Sequence, residues 1–235
     1  TMKIALLGYG RMGKAIEQIA IERGHAIVAL VDKNENQGNL SEADVAINFS
    51  VPDAAVANIK AAMEKQIPVV CGTTGWLEHL KEVEDYCTQN KSAFIYASNF
   101  SVGVNLFFKL NKILAKLMHP HKSYTPQMKE IHHIHKLDAP SGTAITLAEG
   151  VFDKSEYTDW SIDETKGGTT LPITVERTGE VPGTHSIEYK SDVDSISIQH
   201  EAHSRQGFAL GAVIAAEWIQ NKKGVFTMND VLDIN

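Results

Sequence analysis

The stretch Lys3-Ile-Ala-Leu-Leu-Gly-Tyr-Gly-Arg-Met-Gly13 decides the fold. Residues 3–7 form the short apolar run that a strand buried on both faces requires, and they lead directly into a complete G-x-G-x-x-G. The apolar positions that follow, Ala15, Ile16, Ile19 and Ala20, recur with helical period, and residues 26–31 read as a second strand ending at Asp32, 19 positions beyond Gly13. That order is the framework of a dinucleotide site. Gly8 permits the tight turn, Gly10 lets backbone approach a pyrophosphate, and Gly13 lets helix and strand pack closely, with Tyr9, Arg11 and Met12 carried between them. Asp32 can accept from the adenosine ribose hydroxyls, while Lys33 offers a cation to a 2′-phosphate. A glycine turn that serves packing alone is the competing reading, and the register of the flanking elements argues against it.

Outward from this stretch, apolar β-rich runs recur at residues 45–49, 68–71 and 93–96, with helices expected at 53–66 and 76–90. The alternation specifies an α/β fold, a Rossmann-type doubly wound parallel sheet covered by right-handed crossovers. Ligands gather outside the carboxyl ends of such strands, which puts Ser50-Val-Pro52, Gly72-Thr73-Thr74-Gly75 and Ala97-Ser98-Asn99-Phe100 beside the cofactor. Plain turn chemistry is the alternative for each loop. After Phe100 the pattern changes to an amphipathic helix at 104–118, a strand carrying histidines, a helix from Thr143, and alternating segments at 172–176, 185–189 and 195–201. These read as a second α+β lobe on a mixed sheet, with 153–168 as a loop. An apolar helix at 208–219 then returns to the first lobe. The expected division is residues 1–101 plus 207–235 for dinucleotide binding and 102–206 for substrate binding and oligomerisation, with hinges near Ser101 and Gly103 and near Arg205 and Gly207 that let the lobes close.

Composition narrows the class. The chain has 235 residues, 43% of them hydrophobic, and a net charge of −7, which argues against a nucleic-acid partner. No window of 18 apolar residues exists, and with a strand starting at Lys3 no signal peptide is expected, so the expected setting is cytoplasmic and without a membrane partner. Thr1, ahead of Met2, is left out of the fold reading. Cys71 and Cys87 form no spaced motif and read as reduced, packed thiols.

The second informative stretch is Glu130-Ile-His-His-Ile-His-Lys-Leu-Asp-Ala-Pro-Ser-Gly-Thr-Ala144. His132, His133, His135 and Lys136 supply donors and positive charge, and Ser141, Gly142 and Thr143 open a helix whose first N–H groups have no intrahelical partner. Together they suit a dicarboxylate. Ordinary surface or core histidines are one alternative. Metal ligands are another, but a strand would send His132 and His133 to opposite faces and no further Cys or His pair completes a site, so no metal is expected.

These residues resemble those of the 4-hydroxy-tetrahydrodipicolinate (dihydrodipicolinate) reductase family of lysine and diaminopimelate biosynthesis. The segment from Glu130 to Ala144 is similar to the family's E-x-H-H-x-x-K-x-D-A-P-S-G-T-A at every fixed position. Gly72-Thr-Thr-Gly75, the stretches 97–105, 177–185 and 224–232 follow the family too. The resemblance implies that His132 is the family's catalytic histidine and Lys136 its proton donor. It implies that His133, Gly142 and Thr143 bind substrate carboxylates and that the glycine loop, Asp32, Gly72, Thr73, Thr74, Ala97, Ser98, Asn99 and Phe100 hold NADH or NADPH. A homotetramer is implied as well. Two departures fall on the cofactor side: the glycine loop is one residue shorter than the family's common G-x-x-G-R-M-G, and the stretch from Asp32 to Val45 is short.

Reducing a cyclic imine requires hydride at carbon and then a proton, and Lys136 among histidines is placed to give one. The expected activity is therefore NAD(P)H-dependent reduction of a cyclic dicarboxylate. A different two-lobed amino-acid dehydrogenase is the alternative enzyme, and a non-catalytic dinucleotide sensor the alternative class. A sensor needs no proton donor beside an anion cradle. Arg205 divides evenly between a hinge ion pair and a ligand contact.

Overall fold

Most strands of the first sheet are short, largely apolar runs, so the sheet has to be covered on both faces. The computed structural model describes residues 1–235 except Asn34, Glu164 and Thr165. It divides into unit 1, Thr1–Val102 with Gln206–Asn235, and unit 2, Gly103–Arg205.

In unit 1, β1 (Lys3–Leu7), α1 (Arg11–Glu22), β2 (Ala26–Val31), β3 (Asn36–Gly38), β4 (Val45–Asn48), α2 (Pro52–Glu64), β5 (Val69–Cys71), α3 (Leu80–Gln89) and β6 (Ala93–Tyr96) follow in order. The returning segment adds α6 (Gln206–Trp218), β12 (Gly224–Phe226) and α7 (Met228–Leu232). The strand order is β12-β6-β5-β4-β1-β2-β3, and every pairing is parallel except β2 with β3. One apolar layer joins Ile4, Leu6, Ile16, Ile47 and Val213 beneath α1 and α6, and the other joins Leu7, Ile59, Met63, Trp76 and Phe94 beneath α2 and α3. Helix α6 is apolar nearly all round because it is buried on most sides.

Unit 2 continues from the start of α4 (Val102–Met118) through β7 (Thr125–His132), α5 (Gly142–Phe152), β8 (Asp159–Ser161), β9 (Thr170–Arg177), β10 (Thr184–Lys190) and β11 (Ser195–Glu201). Its sheet, ordered β11-β10-β7-β9-β8, is mixed: β7 pairs antiparallel with β10 and parallel with β9. Phe107, Met128, Leu147, Ile173 and Ile187 form its core.

Several sequence expectations need correction. The stretch 153–168 contains strand β8, anchored by parallel pairing to β9, although Glu164 and Thr165 lie outside the described residues. β3, β12 and α7 were not expected, and all three are short elements fixed by neighbours rather than by their own periodicity. The helix expected from Trp76 starts at Leu80 after a 3-10 turn, because Trp76 is buried and its indole N–H donates to the Thr73 carbonyl at 2.6 Å. The histidine strand stops at His132, so His133 and His135 stand on an irregular segment and the face-alternation argument does not apply to them.

Gly8 sits at φ +94°, where L side chains are strained, and a Cβ there would run into the Phe49 carbonyl. Gly8→Ala should lower the stability of the full chain by about 2 kcal/mol or more. Urea unfolding with an unchanged midpoint would show instead that the turn relaxes freely.

Candidate active site

The carboxyl ends of β1, β2 and β4 enclose a cavity of about 430 Å³ in unit 1. Gly8, Tyr9, Gly10, Asp32 and Lys33 line it, together with Val31, Asn36, Phe49, Ser50, Val51, Ala54 and Asn58. Helix α1 begins beside it with Gly10 as N-cap and no side-chain cap, so the amides at Arg11, Met12 and Gly13 are left for an anion. The Tyr9 hydroxyl donates to Glu17, and Lys14 Nζ lies 5.8 Å from the same ring, which fixes Tyr9 against α1. Asp32 accepts from the Lys33 amide through Oδ1 at 2.7 Å. Its second oxygen is then the one to offer a ribose hydroxyl. A glycine-backed wall with a carboxylate at one end fits the adenosine half of a dinucleotide.

The other residues expected at the cofactor sit differently. Gly72, Thr73 and Thr74 follow β5, and Ala97, Ser98, Asn99 and Phe100 follow β6, outside the lining of this cavity. Thr73 is buried and ties two strand ends together, its hydroxyl accepting from the Ser50 amide at 2.8 Å. Asn99 accepts from the Ser101 amide at 2.8 Å, and Phe100 packs 5.9 Å from Phe49. Asn36 and Asn58 were missed because no local motif marks them. β3 brings Asn36 in by pairing with Val31, and α2 brings Asn58.

The dicarboxylate candidate in unit 2 is built on the inward face of β7. Its burial alternates, so Met128, Glu130 and His132 point inward together while Lys129 faces out. The pairing of β7 with β10 places His185 directly opposite Glu130, and β9 places Arg177 opposite His132. Glu130 is completely buried. Its Oε1 accepts from Arg177 Nη2 at 2.9 Å, and its Oε2 accepts from the Ser141 amide at 3.0 Å. The same Arg177 nitrogen donates to the Asp138 carbonyl at 2.7 Å. Residues 138–141 are thereby strapped to the strand end.

The strap sets the entry to α5. Ser141 is its N-cap, with Oγ accepting from the Ala144 amide at 3.1 Å and lying 3.0 Å from His185 Nε2. The Gly142 and Thr143 amides precede any intrahelical acceptor, and Gly142 is exposed with nothing within 4 Å of where its Cβ would be. Ser141 is thus part of the frame, and Gly142 and Thr143 form the open cradle. Lys136, with its side chain 22% exposed, pairs with Asp138 at 2.7 Å. His133 is half-buried with its ring 6.2 Å from that of His135.

Electrostatics divides the roles. Burial pushes the Glu130 acid up, but the approach of His185 and the hydrogen bonds from Ser141 and Arg177 outweigh it and hold the group well below the usual carboxylate range. His132 moves from 6.5 down to about 4, chiefly by burial, then by its neighbour His185, against the opposing pull of Glu130. It is a neutral imidazole at physiological pH. Glu130, His132 and His185 bring ligand atoms within 4.8 Å of one another, which corrects the sequence argument that nothing completes a metal set. Any cation there competes with Arg177 and the Ser141 N–H for the Glu130 carboxylate, so the cluster is better suited to hydrogen bonding.

Because folding lowers both pKa values, their stability contributions are complete above the unfolded values and are lost on acidification, for His132 between 6.5 and about 4 and for Glu130 below 4.5. His132→Gln should therefore flatten part of the fall in urea midpoint across the first window. Parallel profiles for the two proteins would remove His132 from the acid response.

Comparison with known proteins points the same way. The chain matches the family model for the N-terminus of dihydrodipicolinate reductase over residues 2–100 and that for its C-terminus over residues 103–232. It is 52% identical to 4-hydroxy-tetrahydrodipicolinate reductase of Christiangramia forsetii, covering 98% of each chain, and 33% identical to that of Ralstonia pickettii, covering 99% of this chain and 100% of the relative. Among solved structures, a dipicolinate-bound dihydrodipicolinate reductase from a Paenisporosarcina species superimposes with a TM-score of 0.80 at 22% identity over 97% of each chain. With a Rossmann-type unit, a mixed-sheet unit and both family models matched along nearly its full length, the chain belongs to the dihydrodipicolinate reductase family.

Proposed function

We propose that this oxidoreductase reduces 4-hydroxy-tetrahydrodipicolinate, by way of dihydrodipicolinate, to tetrahydrodipicolinate in lysine and diaminopimelate biosynthesis, using NADH or NADPH. The observation that carries the reading is the strapped loop of unit 2, where Glu130 and Arg177 hold an open helix start next to Lys136 and a neutral His132. A bound nicotinamide supplies the hydride. The chain's own residues then have two tasks, to hold two carboxylates and to deliver one proton. The Gly142 and Thr143 amides and His133 take the carboxylates, and Lys136 delivers the proton. His132 is unsuited to be that donor, since burial and the neighbouring His185 hold its imidazole neutral. The structural relative holds dipicolinate, a cyclic dicarboxylate of the class this cradle would take.

On this reading unit 1 carries the cofactor, through Gly8, Tyr9, Gly10, Arg11, Met12, Gly13, Asp32 and Lys33, with the loops at 72–74 and 97–100 supporting. Unit 2 binds the substrate and associates into a homotetramer in the cytoplasm, with no nucleic-acid or membrane partner. Among the described residues no helix is long and apolar enough to cross a membrane.

Substrate freshly made from aspartate semialdehyde and pyruvate should drive NADH or NADPH oxidation, followed by absorbance. No turnover with either cofactor would sink the reading and favour a dinucleotide sensor. Lys136→Ala should lower kcat by roughly 10²- to 10⁴-fold with the fold intact. Near-normal turnover would take Lys136 out of the mechanism.

Asp32 and Lys33 act in opposition at the adenosine end, and their effects are on the order of 1 kcal/mol each at an exposed site. Both cofactors should then work within roughly tenfold of each other, NADH slightly ahead, with Asp32→Ala shifting preference to NADPH and Lys33→Ala to NADH. A wild-type kcat/KM ratio beyond about a hundredfold either way would place the determinant outside this pair.

A further inference from the structure

The ring of His132 has two unlike sides. Nδ1 is completely buried, has no hydrogen-bond partner among the described residues, and faces Glu130 Oε2 at 3.5 Å. Nε2 faces Gly183, where a Cβ would lie only 3.0 Å away. Gly183 therefore packs against the Nε2 side with no side chain interposed, and the other face of the imidazole meets His185 edge-on with ring centroids 4.9 Å apart.

We propose that Glu130 is a positioning residue that fixes His132 as the neutral Nδ1–H tautomer, so that Nε2 presents a lone pair and accepts a hydrogen bond from the substrate's ring nitrogen in its protonated iminium or enamine form instead of anchoring a carboxylate. The inference deepens the substrate-site reading above and rests on it for the identity of the reacting partner.

The argument is electrostatic. A lone pair on Nδ1 would face a carboxylate oxygen across 3.5 Å in a buried setting, which is repulsive, whereas an N–H there is attractive. Glu130 cannot relieve the repulsion by taking up a proton, because Arg177 and the Ser141 amide both donate to it and favour its charge. The doubly protonated ring is excluded by burial and by the cationic Lys136 and Arg177 nearby, in keeping with its depressed basicity. Neutral Nδ1–H is what remains. An imidazole whose outer nitrogen carries only a lone pair repels a carboxylate and selects a donor. The carboxylates are left to the Gly142 and Thr143 amides and His133, and the ring nitrogen of the substrate, in its protonated iminium or enamine form, falls to His132.

Two-bond ¹H–¹⁵N correlation spectra of the full chain labelled at histidine test this directly, with the His132 signals assigned by their loss in His132→Gln. At about pH 7 the wild type should show Nδ1 as the protonated nitrogen and Nε2 as the bare one. In Glu130→Gln, Arg177 can only donate and so keeps the amide oxygen, which turns the NH₂ toward His132 Nδ1 and costs the Ser141 N–H its acceptor. The proton should then move to Nε2, and kcat should fall by about 10- to 100-fold while KM changes less than about threefold. A purely structural role for Glu130 would leave the tautomer where it was. Wild-type His132 with its proton on Nε2 or on both nitrogens overturns the proposal, and so does an unchanged pattern in Glu130→Gln. If that variant does not fold, the wild-type spectrum alone decides. The substrate-site reading fails separately, on the absence of wild-type turnover with either cofactor, and its failure leaves the tautomer result standing.

Discussion

One buried ion pair organises the chemistry of unit 2. Glu130 is fully buried and the Arg177 side chain is 19% exposed, a placement that is costly for the carboxylate unless its lone pairs find partners. Here they do. Arg177 donates to the carboxylate and to the Asp138 carbonyl, and Ser141 donates its amide to the remaining carboxylate oxygen. Removing Arg177 would leave the Glu130 carboxylate without its ion partner in the interior, at a cost of about 3–5 kcal/mol. The pair thereby holds in one geometry a loop that has no regular hydrogen bonding of its own.

Everything in the anion cradle depends on that loop. Ser141 becomes an N-cap only when residues 138–141 are held against β7, and only then do the amides of Gly142 and Thr143 open outward at the head of α5. The charge distribution follows as well. A buried carboxylate neutralised by Arg177 does not repel a dianion, yet at 3.5 Å it still acts on the histidine beside it. One group thus shapes the backbone of the cradle and the protonation of the ring.

Unit 1 solves a simpler problem by simpler means. Its candidate ligand is held largely by backbone, which needs glycine at two close approaches and a helix start with no side chain in the way. The shortened connection after β2 contributes a strand in place of a crossover helix. The antiparallel pairing of β3 follows from that economy, since a chain that must return to β4 within 13 residues of Val31 has room for an extended edge and one turn.

The sequence by itself determined what is local: strand, glycine loop, α1 and Asp32 within the first 32 residues, and the opening of α5 at residues 141–143. It also marked Lys136 and the histidines as a group of donors, though burial leaves His132 neutral rather than cationic. It did not reveal that β7 ends at His132, nor the short elements β3, β8, β12 and α7, which are fixed by pairing and packing more than by propensity. Nor did it single out Glu130, Arg177 and His185, though all three lie in stretches that match the family. Glu130 and Arg177 are 47 positions apart, Ser141 and His185 are 44, and only the register of β7 with β9 and β10 brings them together. A period of two says which residues share a face, but which residue lies opposite is a property of the assembled sheet, because a slip of one position would exchange every inward group for an outward one.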